Sequence, residues 1–153
     1  MTVYYQNPFY DDVFGTIGVV IPSKRIGYKQ GPDKKITEVV TPKGSKDFEQ
    51  NFKKAFPVGS KPGWPYKGRL LVSISILIKR SDYARKDIDN ISKSILDALK
   101  GLAFVDDIQV DCLHVVKFPS DEYSFMIGIK QLKEDDRGWY HPPLYSEKPF
   151  PKS

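Results

Sequence analysis

The chain carries one cysteine, Cys112, in 153 residues. That excludes an intrachain disulfide framework and a cysteine-built zinc site. It also makes a reducing cytoplasm the expected compartment. Histidine is nearly as scarce. His114 falls inside a predicted strand, and His141 lies beside Pro142 and Pro143 with no evident partner, so histidine-based catalysis is not expected. Long apolar runs are missing too. The longest, Leu70 to Ile78, is interrupted by Ser73 and Ser75, and no membrane partner is expected. The opening MTVYYQNPFYDD has no basic segment followed by an apolar one, so no signal peptide is expected.

What is present suits one compact domain. Apolar residues make up 40% and aromatics 13%, enough for a dense core. The net charge is +5, but it is unevenly spread. Ser23 to Lys86 holds sixteen Lys and Arg against five Asp and Glu, whereas Asp87 to Glu122 holds three Lys against eight acids. A basic body attracts phosphate backbones. An acidic centre beside it is the kind of place where a cation relieves charge repulsion. A solvated, mixed-charge surface would give the same counts.

Hydrophobic periodicity predicts the elements. Thr16 to Pro22 and Ile36 to Thr41 read as strands, with Ser23 to Lys35 a basic loop between them, while Tyr4 to Phe14 shows no period. Ser45 to Phe56 sets Phe48, Phe52, Ala55 and Phe56 at helical spacing, with Lys46, Lys53 and Lys54 opposite. Val58 to Gly68 is a Gly/Pro loop in which Trp64 and Tyr66 read as anchors. Arg69 to Lys79 alternates most strongly and is the main strand. Asp89 to Gly101 predicts a helix with Ile91, Ile95, Leu99 and Leu102 on one stripe and Gly101 as its stop. Ile108 to Phe118 and Tyr123 to Leu132 are further strands. The order predicts a single α+β (mixed α/β) domain, a mixed sheet packed by two main helices on one face. The main strand and the one after the second helix can be parallel. Residues 1–132 read as the domain and 133–153 as an extended Pro- and aromatic-rich tail.

The chemistry-bearing residues lie between Arg85 and Asp111. Asp87 and Asp89, two apart on an extended loop, would point to one side and converge, which calls for a cation. Helix capping by one of them is the alternative. Lys93, one turn beyond Asp89, is either an ordinary surface pair or a cation aimed at phosphate, with Asp97 a turn further as its partner. Of Asp106 and Asp107 at most one would face the same spot, and a turn alone would also explain them. Asp111 is a weaker candidate. Two basic groups could bind DNA: Lys24, Arg25, Lys29, Lys34 and Lys35, and, flanking the acidic site, Lys79, Arg80, Arg85 and Lys86.

The string Asp87-x-Asp89-Asn90-x-x-Lys93-x-x-x-Asp97-Ala98-Leu99, followed by Asp106-Asp107-x-Gln109-Val110, resembles the RusA endonucleases, Holliday junction resolvases common in phages and prophages. The resemblance is clear over residues 85 to 117. It implies that Asp87, Asp89 and Asp107 are metal-binding catalytic aspartates, that Lys93 is the catalytic or phosphate-contacting lysine, and that Asp106 is an accessory. It also implies magnesium or manganese as cofactor, a homodimer, and a four-way DNA junction as substrate, in a bacterial or phage-infected cell. Members often carry an asparagine after an N-terminal Pro-Ser turn, whereas here Lys24 and Arg25 follow Pro22-Ser23. A less selective flap or fork nuclease and a non-catalytic DNA-binding protein are the competing expectations.

Overall fold

Alternation is strongest in Arg69 to Lys79, and that stretch lies in the interior of the main sheet. The computed structural model describes residues 2–18, 27–30, 32–33, 36–40, 43–56 and 61–134, with backbone alone for 2, 27–30, 36–40 and 43–45. Among these residues the strands are β1 (Thr2–Tyr5), β2 (Asp12–Ile17), β3 (Gly27–Gln30), β4 (Ile36–Val40), β5 (Leu70–Lys79), β6 (Val110–Ser120) and β7 (Ser124–Gln131). The helices are α1 (Lys43–Ala55) and α2 (Ile88–Leu99). Five strands form one sheet in the order β1-β2-β7-β5-β6, while β3 and β4 pair separately. β5 and β6 are parallel and the other pairs antiparallel, so the sheet is mixed and α2 lies on the connection between its parallel strands.

The register explains the core. Phe14, Ile127, Ile74 and Val115 form one row across four strands, and Thr16, Phe125, Ile76 and Lys117 the next. Side chains in such rows share a face. All except Val115 and Lys117 are buried. Ile91, Ile95, Ala98 and Leu99 of α2 join the same buried cluster, as do Phe48 and Phe52 of α1. Phe52 stacks on Phe125 at 5.8 Å, and Phe14 meets Phe56 edge-on at 5.0 Å. Both helices therefore cover the same face. α2 ends at its C-cap Lys100, whose backbone is extended at φ −61° and ψ 129°; Gly101, at φ 74°, takes the second corner of the turn that follows, where Leu102 N donates to Leu99 O at 3.0 Å. On the opposite face Tyr10 lies over Gly128, where a Cβ would come within 2.8 Å of its ring, and its hydroxyl donates to Ser73 Oγ at 2.8 Å.

Three expectations need correction. A strand runs over Asp12–Ile17 and so begins before Thr16, while residues 19–22 of the expected strand lie outside the described residues; β1 precedes it in a stretch that showed no period. Asp12 faces the core and Gly15 has no side chain, so the alternation was hidden. The basic stretch Ser23 to Lys35 contains strand β3, whose Gly27 pairs with Val40. Ala55 is exposed although Phe48, Phe52 and Phe56 are buried. Trp64 and Tyr66 do anchor their loop: both are 7% exposed, and both donate to the buried Asp12 carboxylate, at 3.0 and 2.6 Å.

Candidate active site

After Lys79 the chain must reverse into α2, and polar contacts make the turn. Arg80 N donates to Ser120 O at 3.0 Å. Asp82 accepts from the Tyr123 hydroxyl and pairs with Arg85. The Tyr123 hydrogen bond, followed by Arg85, holds the Asp82 carboxyl below its usual range. A 3₁₀ turn, Tyr83–Arg85, follows and buries no side chain. Lys117 Nζ then donates to the carbonyls of Tyr83 and Lys86.

Asp87 is the N-cap of α2, one residue earlier than the sequence spacing suggests, with extended backbone at φ −76° and ψ 131°. Its carboxylate makes no capping hydrogen bond; it accepts from Asn90 Nδ2 at 3.3 Å. The capping alternative thus accounts for the position of Asp87 but leaves its oxygens largely unspent. Asp89 is exposed in the first helical turn, where the helix dipole favours a negative charge. The pair therefore sits on the rim of a helix start and not on one side of a strand, because the backbone turns helical at Ile88. Lys93 is exposed one turn on, and Asp97 is half-buried one turn further.

The second aspartate pair belongs to another turn. Asp106 is the N-cap of a 3₁₀ turn, Asp107–Gln109, and accepts from Ile108 N, while Gln109 Oε1 accepts from Asp106 N at 2.9 Å. Asp106 also pairs with Lys100 Nζ at 3.3 Å. Its carboxyl is held below the usual range, first by a hydrogen bond with Asp107 and then by Lys100. Gln109 is 7% exposed, and its Nε2 donates to Tyr66 O at 2.9 Å and Gly68 O at 2.8 Å. Asp107 is half-exposed, and Asp111 pairs with Arg69.

The two pairs stay apart within one chain. Asp87 and Asp89 open α2, and the Asp106–Lys100 ion pair fixes the other pair near its far end. The helix that Asp87 caps and Asp89 opens is twelve residues long, which is roughly 18 Å at the usual rise. Among the described residues no three Asp, Glu, His or Cys side chains converge as a metal site. Of the basic groups, Lys79 is exposed, Lys86 is half-buried, Arg80 pairs with Asp121 at 3.4 Å and Arg85 with Asp82. Lys24, Arg25, Lys34, Lys35 and residues 135–153 lie outside the described residues, as does the side chain of Lys29. Sequence reasoning missed Gln109, Lys117, Tyr123 and Asp12 as supports of this region. For Lys117 the one available signal was a lysine between Val115-Val116 and Phe118.

A family model described as endodeoxyribonuclease RusA matches residues 18–130, a span that holds both aspartate turns and the strands that carry them. No curated protein matches the chain. No helix is long and apolar enough to cross a membrane among the described residues.

Proposed function

The chain belongs to the endodeoxyribonuclease RusA family, and from that premise we propose that it resolves four-way DNA junctions by metal-dependent hydrolysis in recombination and repair. The family match across both aspartate turns carries this reading. Asp87, Asp89 and Asp107 would hold Mg²⁺ or Mn²⁺. Their donors fit a hard cation: all are carboxylate oxygens, and all three residues are exposed or half-exposed. Such an ion, when bound, activates water and offsets charge on the phosphate.

The remaining tasks fall to the chain's own side chains. Lys93, exposed one turn from Asp89, sets a positive charge against the scissile phosphate. Lys79, Arg80, Arg85 and Lys86 draw the DNA backbone toward the acidic turn, and Lys24, Arg25, Lys29, Lys34 and Lys35 are a second group of phosphate contacts. Asp106 serves the turn that presents Asp107, and Asp97 stands behind Lys93. On this reading residues 1–132 are the nuclease domain and 133–153 an extension of it, working in a bacterial or phage-infected cytoplasm.

The placement of the aspartates supports a homodimer. With α2 between the two turns of one protomer, a second copy is what brings an Asp107 to Asp87 and Asp89. Two such sites related by a two-fold axis suit paired cuts across a symmetric junction.

The test is a labelled, immobile four-way junction incubated with Mg²⁺ or with EDTA, beside Asp89→Asn. Paired symmetric nicks that require metal and vanish in the variant are expected. Tight binding without cutting, in either Mg²⁺ or Mn²⁺, hands the chain to the non-catalytic reading, which the separation of the aspartates in one protomer favours. Equal cutting of linear duplex, flaps and forks would leave a nuclease but remove the junction selectivity.

A further inference from the structure

Lys117 belongs to none of the family motif positions, yet it touches the loop that delivers Asp87. It sits near the end of β6 on the core side of the sheet, in register with Ile76. Its stem closes the row Thr16, Phe125, Ile76, and its ammonium rises past the edge of the core. There Nζ donates to Lys86 O at 2.8 Å and to Tyr83 O at 3.2 Å, and lies 4.5 Å from the centre of the Tyr83 ring. A long cation that buries its stem and keeps its head among carbonyls is a familiar use of lysine. What matters here is which carbonyls it holds. Lys86 O belongs to the peptide that joins Lys86 to Asp87, so the ammonium fixes the peptide plane immediately before the first candidate ligand.

The first half of the loop has other anchors. Tyr83 packs half-buried against the core, although no side chain of the turn Tyr83–Arg85 is fully buried. The other tethers, Arg80 N to Ser120 O and the Tyr123 hydroxyl to Asp82, grip its first half. Only Lys117 reaches the last residue before Asp87 from outside the loop, among the described residues.

We propose that Lys117 is a positioning residue: by clamping the Tyr83 and Lys86 carbonyls it sets the orientation of Asp87 at the start of α2. This rests on the reading of Asp87 as a metal ligand, but the clamp itself can be tested without it. Lys117→Met keeps the stem and removes the donors. Hydrogen–deuterium exchange of the segment Tyr83 to Ile91, in which the Arg85, Lys86 and Ile91 amides are hydrogen-bonded, is expected to quicken while α1 and β5 stay unchanged. On the four-way junction kcat is expected to fall about tenfold or more, since small misplacements of a reacting group carry losses of that order. The Mg²⁺ concentration for half-maximal rate should rise several-fold, with KM for DNA nearly constant. Lys117→Arg, which can donate to both carbonyls, should recover part of each effect, and carries the same measurements if Lys117→Met does not fold.

Unchanged exchange across Tyr83 to Ile91 overturns the proposal. So does a rise in KM with kcat and Mg²⁺ dependence intact, which would make Lys117 a DNA contact. If the wild-type protein cuts no DNA at all, the nuclease reading fails, and the exchange measurement still decides the clamp.

Discussion

Gln109 offers the cleanest perturbation of the scaffold behind the aspartates. Its side chain is buried and makes three hydrogen bonds to main-chain groups: Tyr66 O, Gly68 O and Asp106 N. Leucine has a similar volume, so Gln109→Leu removes the polar contacts without opening a large cavity. A buried group left unsatisfied costs about 1–3 kcal/mol. The three do not suffer equally. Tyr66 O also accepts from Val105 N at 3.4 Å, and Gly68 is exposed enough to meet water. A total of about 2–4 kcal/mol follows from discounting those two. In a chain of this size that is a fall in Tm of roughly 5–15 °C. Urea unfolding followed by tryptophan fluorescence reads it, because Trp64 is buried against the same loop. Gln109→Glu sharpens the test. A carboxylate cannot donate to the two carbonyls at neutral pH, so this variant should be at least as unstable there and should regain part of the loss in mild acid, where its protonated form donates again. A Gln109→Leu protein within about 0.5 kcal/mol of wild type would show that the Asp106–Gln109 turn does not depend on this side chain.

Two further outcomes follow from the geometry. If each site draws Asp107 from one protomer and Asp87 and Asp89 from the other, mixing inactive Asp89→Asn and Asp107→Asn proteins restores one site per mixed dimer. After random exchange about a quarter of the wild-type sites should work, giving single nicks in place of paired ones; no recovery would mean that each site is built within one chain. At high pH, burial first and then the Asp82 carboxylate push the Tyr123 hydroxyl up to about 12, while burial and Asp12 push Tyr66 higher still. A raised folded value means that the stabilisation from the protonated hydroxyls is complete below the unfolded value of 10.0 and is lost as pH climbs through the folded one. Unfolding should therefore set in above about pH 10, with late ionisation of Tyr66 and Tyr123, and of Tyr4, which burial also raises, by tyrosinate absorbance; nine tyrosines ionising together in a folded protein would contradict it.

What the sequence discloses and what it hides divide along a physical line. β5 and α2 are legible because their apolar residues repeat at the period of their own backbone: Leu70, Val72, Ile74, Ile76 and Ile78 on one face, Ile91, Ile95 and Leu99 on one stripe. β2 is illegible because Asp12 occupies an inward position, and the Trp64 and Tyr66 that satisfy it lie some fifty residues away. The aspartates are legible as residue types in a specific string. Their geometry is not, since a carboxylate at the N-cap and one on an extended loop differ by where a single backbone torsion turns helical. Gln109 is legible as a motif position and as the partner of Asp106 three residues before it, but its bonds to Tyr66 O and Gly68 O are not, and Lys117 leaves almost no local signal, because distant main-chain carbonyls are supplied by any residue.

Those two side chains connect the site to one element. Gln109 directly precedes β6 and holds the turn that presents Asp107; Lys117 stands near the other end of β6 and holds the loop that presents Asp87. β6 is a sheet edge that pairs only with β5 among the described residues, and Leu113, Val116 and Phe118 on it are exposed. Edge strands are tolerant of substitution at such outward positions, because little packing depends on them. Its two polar clamps are a different matter. They convert the strand into a ruler between two acidic turns that α2 keeps apart, so any change that shifts β6 along β5 must displace both turns together. Distance between the aspartates of one protomer is then a property of β6 and α2 jointly, and it is this fixed spacing that a partner related by a two-fold axis would have to match.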